Sequence, residues 1–110
     1  MAFHTKGNSI IMDAYDYGMQ IPFDVEGATF ESTDKMRFEL KKKETSIPII
    51  VKEFDNVSND SSLFRFFLEF TKEESEALPP GHYVYFLKYI KDDEARDTLI
   101  SGEEFKIKKG

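Results

Sequence analysis

Three stretches of this chain alternate apolar and polar residues with a period of two, and that pattern restricts the fold more than any other feature. Met36, Phe38 and Leu40 alternate with Lys35, Arg37, Glu39 and Lys41. Phe64, Phe66, Leu68 and Phe70 alternate with Arg65 and Glu69, and Ile21, Phe23 and Val25 alternate with Gln20, Asp24 and Glu26. Successive side chains of a strand point to opposite faces, so each run buries one face and wets the other. That is the behaviour of antiparallel sheets, since strands of parallel sheets read as unbroken apolar runs. Further β-like segments are Ile10 to Tyr15, the β-branched run from Ile47 to Val51, Tyr83 to Ile90, and Leu99 to Ile107. Tyr83 to Ile90 is apolar or aromatic on both faces, which places it centrally or along an interface. In the last segment Leu99, Phe105 and Ile107 fall on odd positions and Gly102 marks a bulge. Pro22 interrupts the Ile21 to Val25 run and cannot donate to a ladder, so that strand is an edge there, is bulged, or turns Pro22 away from its neighbour.

Turn residues punctuate the runs: Asp16-Tyr17-Gly18, Glu26-Gly27, Glu31-Ser32-Thr33-Asp34, the polar loop 55–62 and the charged hairpin tip 91–97. One segment departs from strand periodicity. Thr71-Lys72-Glu73-Glu74 is a capping box, in which the Thr71 hydroxyl accepts from the Glu74 amide and the Glu74 carboxylate accepts from the Thr71 amide. Glu73, Glu74 and Glu76 suit the positive end of a short helix, which Pro79-Pro80 terminates. The predicted architecture is one all-β domain over 1–110, an antiparallel immunoglobulin-like sandwich of about seven strands. A short helical crossover over 71–78 joins the two sheets, and residues 1–8 are expected to be flexible.

Composition bounds the function. A chain of 110 residues with 15% aromatics can build one core without staples. It has no cysteine, which removes disulfides, thiolate nucleophiles and cysteine metal sites. A net charge of −6 opposes nucleic-acid binding, which needs a basic face, and the basic run Lys41-Lys42-Lys43 reads as a solvated strand end. No apolar run approaches the ~20 residues of a membrane span, and the first eight residues hold no signal-peptide core.

The chain shows no catalytic pattern. His4 and His82 lie far apart in sequence and form no metal or triad motif. Asp13, Asp16 and Asp24 would need to converge at one end of a sandwich to hold Ca²⁺, and their spacing fits no defined loop. No phosphate-binding glycine loop or nucleophile elbow is present. The expectation is a protein with no enzymatic activity, no cofactor and no metal. Tyr83, Tyr85 and Tyr89 share one face of a strand. Three roles stay open for them: core packing with the hydroxyls at the rim, a protein–protein contact, or a sugar-stacking platform. For a contact surface, Tyr83, Tyr85, Tyr89 and Phe105 are the candidates.

The string from Phe70 through Glu73-Glu74 and Leu78-Pro79-Pro80-Gly81-His82-Tyr83-Val84-Tyr85, followed by the segment from Thr98 to Ile107, resembles the N-terminal immunoglobulin-like domain of phage baseplate upper proteins and related prophage tail proteins. Upstream, the Tyr15 to Gly18 turn, Ala28-Thr29 and the Met36, Phe38, Leu40 strand fit the same layout, which covers about residues 10–107. Leu78-Pro79-Pro80-Gly81-His82-Tyr83 also resembles the tyrosine corner of immunoglobulin-like sandwiches. The resemblance implies a non-enzymatic structural or assembly module of a tail or baseplate. Such a module is made in the bacterial cytoplasm and built into the virion, where it contacts other tail subunits or its own copies. Those baseplate proteins continue into further domains. The alternative is a carbohydrate- or ligand-binding immunoglobulin-like module of a bacterial surface protein, which would display exposed aromatic rings.

Overall fold

A computed structural model describes residues 3–6, 9–18 and 20–109; the side chains of 3–6 lie outside that description. In chain order the elements are β1 (Phe3–Lys6), β2 (Ser9–Asp13), β3 (Ile21–Glu26), β4 (Lys35–Lys41), β5 (Ile50–Asp55), β6 (Leu63–Leu68), α1 (Lys72–Glu76), β7 (Gly81–Lys91) and β8 (Glu94–Lys108). A six-stranded sheet in the order β1-β2-β8-β7-β4-β5 packs against a two-stranded sheet, β3-β6. With β8-β7-β4-β5 facing β3-β6, the all-β sandwich expected from the alternation is the fold.

Three expectations need correction. Residues 3–6 belong to the segment read as flexible, yet they form β1 and pair with β2 from Phe3↔Met12 to Lys6↔Ser9. That strand raises the count to eight among the described residues. The large sheet is mixed, because β2 runs parallel to the end of β8 from Ile10↔Phe105 to Asp13↔Lys108. Finally, the run from Ile47 to Val51 does not start a strand at Ile47; β5 begins at Ile50, beyond Pro48.

The alternation places the core. Met36, Phe38 and Leu40 of β4 and Phe64, Phe66 and Leu68 of β6 are all buried, while Arg65 and Phe67 point outward. Between the sheets the rings form a continuous layer. Phe66 stacks on Phe23 at 4.9 Å and on Phe54 at 4.6 Å, and so joins the small sheet to β5. Tyr85 stacks on Phe38 at 5.6 Å and meets Phe105 edge-on at 6.1 Å. Offset and edge-to-face pairs of this kind contribute about 0.5–1.5 kcal/mol each beyond the area they bury.

Local signals set the connections. Pro22 is accommodated because β3 has a single ladder partner, β6, opposite which it sits at Phe67. The capping box forms as its sequence dictates, with Glu74 N–H donating to Thr71 Oγ1 at 3.2 Å and Thr71 N–H donating to Glu74 Oε1 at 2.9 Å. Helix α1 therefore carries the chain from β6 in one sheet to β7 in the other. At its exit the Tyr83 hydroxyl donates to the Pro79 carbonyl at 2.6 Å, which is the tyrosine-corner bond. Asp92 and Asp93 both adopt positive φ (53° and 63°), which matches the twist of a two-residue hairpin and lets β7 and β8 pair to the tip. The charged segment 94–97 is thus strand and not loop.

Two mutations probe these devices. Tyr83→Phe removes one hydrogen bond and should lower stability by about 1 kcal/mol in urea melts; an unchanged midpoint would dissociate the corner from stability. The Ser75 hydroxyl is buried in α1 and has no hydrogen-bond partner among the described residues. Ser75→Ala should therefore leave stability equal or raise it by up to about 1 kcal/mol, and a loss of similar size would mean that the hydroxyl is satisfied.

Candidate functional site

The four residues expected at a contact surface are not on the surface. Relative exposure is 3% for Tyr83, 1% for Tyr85 and 0% for Phe105, and Tyr89 is half-buried. The reason is the place of β7 in the sheet. It lies between β4 and β8, so its odd-numbered side chains face the small sheet, and Tyr83 stands directly opposite Phe105. Of the three roles left open for the tyrosines, the structure gives core packing with hydroxyls at the rim for Tyr83 and Tyr89. Burial pushes the Tyr85 hydroxyl well above its ordinary pKa, and the Glu103 carboxylate adds to that. On the outer face of the same strand, Lys41 Nζ sits 4.5 Å from the Phe86 ring centre, and Lys42 Nζ sits 4.6 Å from that of the buried Tyr83. The basic run thus lies against aromatic rings.

The residues weighed for chemistry are dispersed. His82 is exposed, with Nδ1 3.3 Å from Glu104, and the side chain of His4 lies outside the described residues. Asp24 is engaged by Arg65 on the neighbouring strand at 2.8 Å, and that guanidinium holds its carboxyl below the usual range. Among the described residues no three His, Cys, Asp or Glu side chains form a set able to hold a metal ion.

The most tightly built polar cluster was not anticipated as one. Asp34 is fully buried at the start of β4. Its Oδ2 accepts from the Tyr89 hydroxyl at 2.6 Å and from the Glu31 amide at 2.9 Å, and Lys91 Nζ lies 3.5 Å from Oδ1. Burial would raise the Asp34 pKa, but the Tyr89 hydroxyl, the Glu31 amide and Lys91 together bring it below the ordinary value. The turn composition Glu31-Ser32-Thr33-Asp34 was the sequence signal for this cluster; its partners on β7 come from tertiary structure. The cluster ties the β3–β4 turn to the end of β7, which makes it structural.

What the surface offers instead is strand margin. β5 ends the six-stranded sheet, and its register with β4 runs unbroken from Lys35↔Asp55 to Leu40↔Ile50. At its start three apolar side chains are exposed: Ile47 at 86%, Ile49 at 45% and Val51 at 53%. Ile49, Ile50 and Val51 form a groove of about 410 Å³ with Glu73, Glu74 and Ala77 of the α1 segment. The signal in the sequence was Pro48, which marks a run as marginal, although the exposure of Ile47 and Ile49 could not be read from it. The upper part of β8 is also marginal, but it is defended. Register shifts leave Arg96, Leu99 and Gly102 without a partner on β7, and charges flank them. Bulges and charges of this kind are the usual protection of a free edge. Leu99, which shares odd positions with the buried Phe105 and Ile107, is exposed because it is one of those bulges. A third opening lies near β6, where Tyr17, Phe54, Phe67 and Phe70 line a groove with Lys52 and Glu69.

Neither a family model, nor a curated protein, nor a solved structure matches this chain.

Because the Asp34 pKa is depressed on folding, its contribution to stability is complete above the unfolded value of about 4 and is lost as pH falls through the folded one. Asp34→Asn should cost about 1.5–3 kcal/mol at pH 7, the worth of a hydrogen bond to a charged group. The gap to wild type should close below about pH 4 in urea melts. A pH-independent gap would indicate that the neutral form serves equally well.

Proposed function

We propose that this chain is a non-catalytic assembly module of a phage or prophage tail or baseplate, acting through protein–protein contacts. The observation that carries the reading is the β5 margin. It is a regular, unbulged strand edge with Ile47, Ile49 and Val51 exposed beside it, in a molecule whose other long margin, on β8, is bulged and charged. Exposed apolar edges are costly to leave bare and mark surfaces that another chain covers. The all-β sandwich, the acidic crossover and the Tyr83 corner fit the layout of baseplate upper protein domains, and that resemblance supplies the tail context. In this reading the chain is made in the bacterial cytoplasm and becomes part of the virion.

A second reading is a carbohydrate- or ligand-binding module. It is favoured by the exposed rings of Tyr17 and Phe67, which border the groove near β6. Aromatic faces of this kind stack on sugars, although the chain has no tryptophan.

Immunogold electron microscopy separates the two, using antibody raised to the chain on particles and cells from induced host cultures. Label confined to tails or baseplates is the expected result. Label on the cell envelope with none on particles would overturn the assembly reading in favour of the second.

A further inference from the structure

We infer that the β5 margin is a strand-addition site for an extended, basic segment of a partner protein, which docks with apolar side chains on Ile49 and Val51 and cationic ones toward α1. This deepens the assembly reading and rests on it for the partner's being a protein. Three features select such an occupant. First, an added strand needs a straight ladder, and the β4–β5 register is continuous over its whole length. Strand addition uses main-chain hydrogen bonds for affinity and alternating side-chain contacts for specificity. Second, the apolar contacts are already in place as the exposed row Ile47, Ile49 and Val51. Third, the groove has an acidic wall. Glu73 and Glu74 line it, and Glu76 stands on the same helix, which has no basic residue in its last turn. Of these, Glu74 is neutralised by Lys52 Nζ at 2.7 Å.

Charge also decides between partners. A second copy carries the same acidic helix and the same net charge of −6, so like charge opposes its docking at this margin. Like charges placed opposite one another destabilise pairing, and opposite charges support it. The matching segment is therefore one that alternates β-branched residues with lysine or arginine, supplied by a different chain.

The test uses three short synthetic peptides against the full chain. One alternates Val and Lys, one alternates Val and Glu, and one is the Val–Lys peptide with N-methylated valines, which cannot complete a ladder. Affinity is read by fluorescence anisotropy, and location by amide exchange in NMR. The Val–Lys peptide should bind and slow exchange across Ile50–Asp55. The Val–Glu and N-methylated peptides should bind about tenfold more weakly or not at all. The double variant Glu73→Gln/Glu76→Gln, which leaves the capping residue Glu74 intact, should weaken Val–Lys binding several-fold and reduce its salt dependence. Absence of Val–Lys binding, equal binding of the Val–Glu peptide, or protection away from β5 would overturn the proposal. Light scattering that shows a dimer, with β5 protected in the absence of peptide, would overturn it in favour of a second copy. If tails carry the immunogold label and the Val–Lys peptide does not bind, strand addition falls and the assembly reading stands.

Discussion

Phe66 sits between Phe23 and Phe54, and this three-ring stack is what allows two strands to serve as a whole layer of the sandwich. A two-stranded sheet has little stability alone. β3 and β6 persist because their inward faces hold large rings that lock into Phe54 of β5 and Tyr85 of β7. The aromatic layer substitutes for strands that a fuller sandwich would place beside β3 and β6. It also fixes the direction of every neighbouring side chain, since a shift of one residue in β6 would turn Phe64 and Phe66 into solvent.

Covering six strands with two leaves margins, and the chain treats its margins differently. The free side of β6 is partly closed by the preceding loop, where Asn56 accepts from the Arg65 amide at 2.9 Å, donates to the Leu63 carbonyl at 2.8 Å and thereby ties the 55–62 loop to the strand. β8 is bent by bulges, and β1 is only four residues long. β5 combines a straight ladder with exposed apolar side chains and an acidic flank. A bare edge of this kind is hazardous unless a partner covers it, and on that physical ground the surface is assigned to assembly.

Much of this was legible in the sequence where one residue decides its own environment. The alternation of β4 and β6 follows from Met36, Phe38, Leu40, Phe64, Phe66 and Leu68. The Thr71–Glu74 capping box, the Tyr83 corner and the Gly102 bulge each rest on bonds or dihedrals set within a few residues. The illegible parts depend on which strand lies next to which. Tyr85 and Phe105 read as candidate contacts because an aromatic strand face looks the same whether a partner protein or the chain's own second sheet covers it. Ile47 to Val51 read as β-like with no burial assigned, because β-branched runs look alike at an edge and in the middle; the position of β5 at the end of the sheet settles it. The burial of Asp34 required Tyr89 and Lys91, more than fifty residues away in the chain.

The most direct measurement of the central claim, that β5 is an open and regular edge in the free chain, is residue-resolved amide hydrogen exchange by NMR in dilute solution. β4 and β7, paired on both sides, should be slow at every amide, whereas β5 should alternate between slow amides bonded to β4 and fast ones facing outward. Uniformly slow exchange along β5 in the isolated chain would show the edge to be already covered and would contradict the account.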